Sequence, residues 1–330
     1  MKPSRVAAVL ESIIATRWPV FVWGPPGCGK SAVVQSVAQS RGIPVIDVRA
    51  SLLDPTDLRG IPMIQDGRAV WCPPSFLPKP DSKPGILFFD ELNAAPPLVQ
   101  ASLYQLTLDR RIGEYFLPEG WSIVAAGNRS EDKSVVFRMP SALSNRFIHV
   151  DFEVDYDDWR TWAYSAGVHP TVIGFLGLRR ELLHDMRSTD RAFPTPRSWE
   201  MASAAIKQFN GVKECMDVLV GTVGEGPAIE LRKFSERAMT LEQIQAVLAD
   251  PSGAKLPSEL GDLYALVAYL ISTISNTWTQ DACGVLLGRL PVELAVLLAR
   301  DTLRVSPGLR KHERYAAFIK EHAKSINPRA

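Results

Sequence analysis

Cysteine is scarce in this 330-residue chain, and its four copies, Cys28, Cys72, Cys215 and Cys283, are scattered with no C-x-x-C pair. That spacing suggests neither a zinc site nor a disulfide framework, and leaves inert thiols in a reducing compartment as the expectation. A dominant charge is missing as well. Lys and Arg total 37 against 36 Asp and Glu, so a net charge of +1 gives no bulk attraction to nucleic acid or anionic membrane. Long apolar runs are also lacking. Val6 to Ala15 is broken by Glu11 and Ser12, unlike the core of a secretory leader, and Leu263 to Ile274 ends at Ser275 and Asn276, too short to cross a bilayer. A cytoplasmic chain without membrane insertion is expected, with Leu263 to Ile274 a buried helix. No repeat or low-complexity tract is present, and the five histidines, at 149, 169, 184, 312 and 322, show no metal-ligand spacing.

What is present is ordinary globular composition, 46% hydrophobic and 22% charged, at a length that accommodates two or three cores. Up to residue 152, short apolar runs alternate with helical patterns: Val20 to Trp23, Val45 to Val48, Ile86 to Phe89, Ile123 to Ala126 and Ile148 to Phe152. That rhythm predicts an α/β fold with a five-stranded parallel sheet, whose ligand site lies at the carboxyl ends of the strands. Two hairpins interrupt it: Gly60 to Cys72, turning at Asp66-Gly67, and Arg111 through Trp121. Beyond Asp155 the pattern becomes helical, with expected helices at Tyr156 to Ala166, Pro170 to Met186, Pro196 to Phe209 and Lys213 to Val223. Pro and Gly around 250–257 suggest a further boundary. The expected division is an α/β core at 1–152, an all-α lid at 153–250 and a helical C-terminal extension at 251–330.

The strand Val20 to Trp23 runs into Gly24-Pro25-Pro26-Gly27-Cys28-Gly29-Lys30-Ser31, the G-x4-G-K-S spacing of a phosphate-binding P-loop. Glycines let successive N–H groups aim at phosphate oxygens, and the helix beginning near Lys30 adds its positive end. Lys30 is placed for the β- and γ-phosphates and Ser31 for Mg²⁺; Ala32 completes the expected nucleotide-binding segment. Ile86 to Phe89 ends in Asp90-Glu91. Asp90 is the expected Mg²⁺ partner, and Glu91, pointing to the other side of the strand, can polarise a water for in-line attack. Asn128, after Ile123 to Gly127, can orient that water or touch the γ-phosphate. Arg146, lacking an acidic neighbour in sequence, is free to complete a site across a subunit interface.

Taken together, these segments resemble an AAA+ ATPase, more narrowly the MoxR-type family of the helix-2-insert clade. The likeness rests on Gly24 to Ser31, Asp57-Leu58-Arg59-Gly60, Phe89-Asp90-Glu91-Leu92-Asn93-Ala94-Ala95-Pro96-Pro97, Asn128 and Asn145-Arg146-Phe147. By that resemblance Asn128 corresponds to sensor 1, Arg146 to an arginine finger acting in trans, and the two hairpins to surfaces facing a pore or client. Pro194-Thr195-Pro196-Arg197-Ser198-Trp199-Glu200 resembles the sensor-2 segment, which makes Arg197 a γ-phosphate sensor, in cis or in trans. The chain departs from the family pattern at Asn145, where an aspartate is usual, and at Ala94-Ala95; Arg129 and Arg138 compete with Arg146 for the finger role.

The resemblance implies ATP hydrolysis with Mg²⁺ in a homo-oligomeric ring, a hexamer, that remodels a protein client. Val223 to Ala228 resembles the lid of the subgroup paired with von Willebrand factor A-type proteins, which implies such a partner. The alternatives are a nucleic-acid-dependent motor and an ATP-gated assembly switch with little turnover. Mixed charge on the hairpins, Arg68, Arg110 and Arg111 beside Asp66, Asp109, Glu114 and Glu119, argues against the motor.

Overall fold

The computed structural model describes residues 1–132, 136–186 and 191–326, which fall into two compact units, Met1–Asp155 and Tyr156–Ala330. Strands of the first unit, in chain order, are β1 (Val20–Trp23), β2 (Val45–Arg49), β3 (Ile61–Gln65), β4 (Arg68–Cys72), β5 (Ile86–Asp90), β6 (Arg111–Ile112), β7 (Tyr115–Phe116), β8 (Ser122–Gly127) and β9 (Ile148–Asp151). Five of them form one sheet in the order β2-β5-β8-β1-β9, and every pairing in it is parallel. Parallel strands need cover on both faces. One face, with Val20, Val22, Phe88, Val124 and Val150, packs under α1 (Pro3–Ile14) and α2 (Lys30–Arg41). The opposite face, with Phe21, Phe89, Ile123 and Ala125, packs under α3 (Pro55–Arg59), α4 (Pro97–Asp109) and α5 (Ser141–Ser144). In α1 the buried residues Val6, Leu10 and Ile14 recur every four positions, the stripe that seats a helix on a sheet.

The strand order positions the site. Because β8 lies between β5 and β1, the chain leaving β8 emerges between the loop after β1 and the carboxylates ending β5. All three segments lie at carboxyl ends of neighbouring strands, where open α/β sheets bind ligands.

The first hairpin pairs β3 with β4 from Ile61↔Cys72 to Gln65↔Arg68 around Asp66-Gly67, both at positive φ. The second is shorter than its sequence suggests. Only Arg111–Ile112 and Tyr115–Phe116 pair, because Leu117 and Trp121 turn into the core and Arg110 holds the carbonyl of Trp121 at 2.6 Å.

The second unit is helical: α6 (Tyr156–Ser165), α7 (Pro170–Leu178), α8 (Pro196–Gln208), α9 (Met216–Val223), α10 (Glu225–Arg237), α11 (Leu241–Ala249), α12 (Leu260–Ser272), α13 (Thr277–Leu286), α14 (Val292–Val305) and α15 (Glu313–Glu321). The helix expected over Pro170 to Met186 stops at Leu178. Arg179 leaves helical geometry with φ −122°, pairs with Glu181 and Glu230, and is followed by a 3₁₀ turn. Leu266, Leu270, Leu286, Leu298 and Tyr315 lie in one core, against which Tyr164 and Met239 also pack. Within this unit Arg160 and Asp301 are both almost wholly buried and meet at 2.8 Å. Among the described residues no helix is long and apolar enough to cross a membrane.

Candidate functional site

The loop after β1 is pinned at its start. Gly24 donates its N–H to the carbonyl of Gly127 at 3.2 Å, and a Cβ there would stand 3.1 Å from that of Phe152. Gly27 and Gly29 both have positive φ, 71° and 105°, which a side chain disfavours, so the sequence needs glycine to make this turn. No side chain caps α2, and its first N–H groups and positive end are presented to the loop. Cys28 is buried, and that burial pushes its thiol up despite the nearby Lys30. It is packing in the cradle wall.

Lys30, itself buried, donates Nζ to the carbonyls of Gly24 and Pro25 at 2.7 and 2.9 Å, and to Oδ1 of Asn128 at 2.9 Å. Ser31 donates its hydroxyl to Oδ2 of Asp90, also at 2.9 Å. Four predicted residues from three strand ends are thereby joined in two hydrogen-bonded pairs, Lys30–Asn128 and Ser31–Asp90. A hydroxyl beside a carboxylate is a set of hard oxygen donors, the kind Mg²⁺ takes alongside phosphate oxygens, so Ser31 and Asp90 fit that ion.

Glu91 differs from the expectation of simple strand alternation. It lies one residue past β5 with φ 56° and ψ 35°, a left-handed conformation, and its N–H turns back onto Oδ1 of Asp90 at 2.9 Å. For a residue with a Cβ this conformation costs about 1–2 kcal/mol. Its carboxylate accepts from the Ser51 hydroxyl at 2.6 Å and lies 3.8 Å from the Arg49 guanidinium. Ser51 and Arg49 carry no sequence motif; the signal that finds them is position, since both sit at the carboxyl end of β2 beside β5.

Asn93 is another residue the motif reading left without a role. It is 3% exposed, donates Nδ2 to the carbonyl of Asn128 at 2.7 Å, and its own carbonyl accepts from Phe137 N–H at the same distance. It braces the turn that carries Asn128.

Among the described residues, Arg146 hydrogen-bonds neither to the loop nor to an acid. It donates to the carbonyl of Ala142 at 2.7 Å and to the Tyr104 hydroxyl at 2.5 Å, and its guanidinium lies 4.4 Å from the centre of the Tyr104 ring. Of its competitors, Arg129 is occupied within its own unit by the Asp151 carboxylate and the Phe152 carbonyl, each at 3.2 Å, while Arg138 is exposed. Arg197 belongs to the second unit. It is the second residue of α8, exposed, in a turn closed by the Thr195 and Ser198 side chains.

Residues 19–147 match the AAA domain of the dynein-related subfamily. Among relatives, the protein NorQ of Paracoccus denitrificans is 30% identical over 154 residues, covering 44% of this chain and 56% of that protein. The protein MoxR of Methylorubrum extorquens is 26% identical over 233 residues, covering 68% of this chain and 61% of its own. The matched region thus spans little more than half the length of these relatives. Among solved structures, the RuvB Holliday junction branch migration motor of Thermotoga maritima aligns loosely over 81% of this chain and 80% of its own, at 16% identity and a TM-score of 0.41. The parallel sheet, the phosphate loop and the strand-end acids all fall at or near residues 19–147, an AAA domain similar to those of the NorQ and MoxR proteins.

Proposed function

We propose that this chain hydrolyses ATP to ADP and phosphate at sites shared between neighbouring copies of a ring, a hexamer, and uses the cycle to remodel a protein client. The observation that carries this reading is the meeting of Lys30, Asn128, Ser31 and Asp90 at the ends of three adjacent strands. In it, the loop from Gly24 to Ala32 wraps the phosphates with backbone N–H groups, and Lys30 adds a positive charge. Ser31 and Asp90 would hold Mg²⁺, which neutralises phosphate charge when bound. Glu91 takes the proton of the attacking water, its carboxylate kept in orientation by Ser51 and Arg49. Asn128 and Arg197 sense the γ-phosphate, and Arg146 serves the neighbouring copy's nucleotide.

The client surface we assign is the β3–β4 hairpin. Ile61 and Ile64 are 72% and 87% exposed on it, a bare apolar pair that favours a protein over a polyanion. A von Willebrand factor A-type partner belongs to the same proposal, on the likeness of Val223 to Ala228.

Steady-state ATP turnover tests the assignment. Glu91→Gln is expected to keep nucleotide binding and lose turnover by about 10² to 10⁴, whereas Lys30→Ala weakens binding itself. Mixing Arg146→Ala with Glu91→Gln subunits should recover activity, since one mixed interface contains both intact halves. Wild-type turnover in Glu91→Gln would sink the water-activation role, and a co-assembled mixture without recovery would sink the shared site.

A further inference from the structure

The finger arginine has a neighbour that no motif marks. His149, exposed on β9, lies between the strand that opens the phosphate loop and the short helix α5 just ahead of Arg146. Trp23, the last residue of β1 and the one before Gly24, donates its indole Nε1–H to Nδ1 of His149 at 2.8 Å, with the two rings stacked at 5.9 Å. An indole N–H can only donate, so Nδ1 is the acceptor and the ring proton lies on Nε2. That nitrogen in turn sits 2.9 Å from the carbonyl of Ser144, which accepts from it. Ser144 ends α5, and the same four-residue helix supplies the Ala142 carbonyl that holds Arg146.

We propose that His149 is a positioning residue for Arg146, and that Trp23 ties that positioning to the strand bearing the copy's own phosphate loop. The inference rests on the shared-site reading above. A purely structural role accounts poorly for these bonds: β1 and β9 are already joined by a four-residue parallel ladder from Val20↔Ile148 to Trp23↔Asp151. The two ring bonds add nothing to that ladder. What they do is fix the end of α5 relative to Trp23, so movement at the loop entrance is transmitted to the guanidinium offered to the next copy. In consequence, a copy's own nucleotide biases the finger it presents, and the ring's sites are coupled in one direction.

The test uses full-length subunits. His149→Phe keeps the stacked ring and removes both hydrogen bonds; Trp23→Phe, carried in parallel, removes only the donor. Each homomeric assembly should bind a fluorescent ATP analogue as the wild type does, yet turn over about tenfold to a hundredfold more slowly, the scale of a misplaced catalytic group. Mixing either variant with Glu91→Gln subunits should restore turnover, because the Glu91→Gln copy supplies an intact finger to an intact nucleotide half. A defect confined to folding or to the copy's own phosphate loop is not restored by that partner. Wild-type turnover in both variants overturns the inference, as does a loss that Glu91→Gln subunits fail to repair while Arg146→Ala mixtures recover in the same series. If the Arg146→Ala mixtures also fail, the shared-site reading itself falls, and the two failures are told apart.

Discussion

The Nζ of Lys30 and the Oδ1 of Asn128 lie 2.9 Å apart, joining residues 98 positions distant in sequence through two strands that neighbour each other in the sheet. In the proposed function the pair sets a phosphate-binding lysine against an acceptor that holds it. Asn128→Ala removes one acceptor and leaves the Gly24 and Pro25 carbonyls, so nucleotide affinity should change little while turnover falls. Asn128→Asp does the opposite. A carboxylate there retains the lysine by charge and repels the γ-phosphate, and affinity should drop by about tenfold or more. Equilibrium titration with a fluorescent ATP analogue separates the two variants; equal affinities would show that the pair does not govern phosphate capture.

Behind Asn128, the turn is packed without slack. A Cβ on Gly127 would stand 2.2 Å from Oδ1 of Asn93 and 2.8 Å from Cζ of Phe21, so Gly127→Ala should cost about 1–3 kcal/mol as an overpacked site. Asn93→Ala leaves the Asn128 carbonyl without its donor, at about 1–3 kcal/mol. The two changes interact, because shortening Asn93 removes the closer of the two clashes and leaves only the one with Phe21. Thermal unfolding should find the double variant more stable than the sum of the single losses predicts. Strict additivity would mean that Asn93 does not fill the space behind Gly127.

The division between what sequence revealed here and what it did not follows from the range of the interactions. The five strands, the first hairpin and the cradle were legible because each is encoded locally: apolar runs of four to six residues, Asp66-Gly67, and the glycines at 27 and 29. The places of Asp90 and Asn128 beside Ser31 and Lys30 were legible because both follow strands of one parallel sheet. Glu91 was assigned its place but not its conformation, since alternation stops where β5 stops and nothing local announces a left-handed glutamate. Ser51, Asn93, Tyr104 and His149 were invisible for a different reason. Each acts by touching a residue 35 to 126 positions away, and those contacts exist only once the strands are ordered β2-β5-β8-β1-β9.

Asp47 on β2 adds a pH dependence. Its surface is largely open, but partial burial of the carboxyl pushes its pKa up, Asp90 pushes it further, and Arg49 offsets part of this. The folded state therefore holds this proton more tightly than the unfolded chain does. Its favourable contribution is full below the ordinary carboxylate value of about 4 and is lost as pH rises through the raised value. At neutral pH the ionised side chain opposes folding. Asp47→Asn should raise the melting temperature at pH 7, and the gain should fade as the pH is lowered toward 4. Melts in the absence of magnesium isolate the effect, because a cation near Asp90 would offset the same repulsion. A gain that is constant across the range would refute the electrostatic origin.

Glu91 provides the sharpest separation of function from stability. Its φ of 56° is one that glycine adopts freely and other residues adopt at a cost of about 1–2 kcal/mol. The backbone is held there by the N–H bond to Asp90 and by the 3₁₀ turn in which Ala94 N–H meets the Glu91 carbonyl at 2.9 Å. Neither contact uses the side chain, so both survive in Glu91→Gly and Glu91→Ala. The two variants lose the same carboxylate and should be equally inactive, yet only alanine retains the strain. Glycine carries more unfolded-state entropy, which works against it by about 0.5–1 kcal/mol. The left-handed cost exceeds that penalty, so Glu91→Gly should melt at or slightly above Glu91→Ala despite glycine's flexibility. If Glu91→Ala melts several degrees higher, the left-handed backbone is not strained, and the turn after β5 owes its shape to the sequence around it rather than to the surrounding packing.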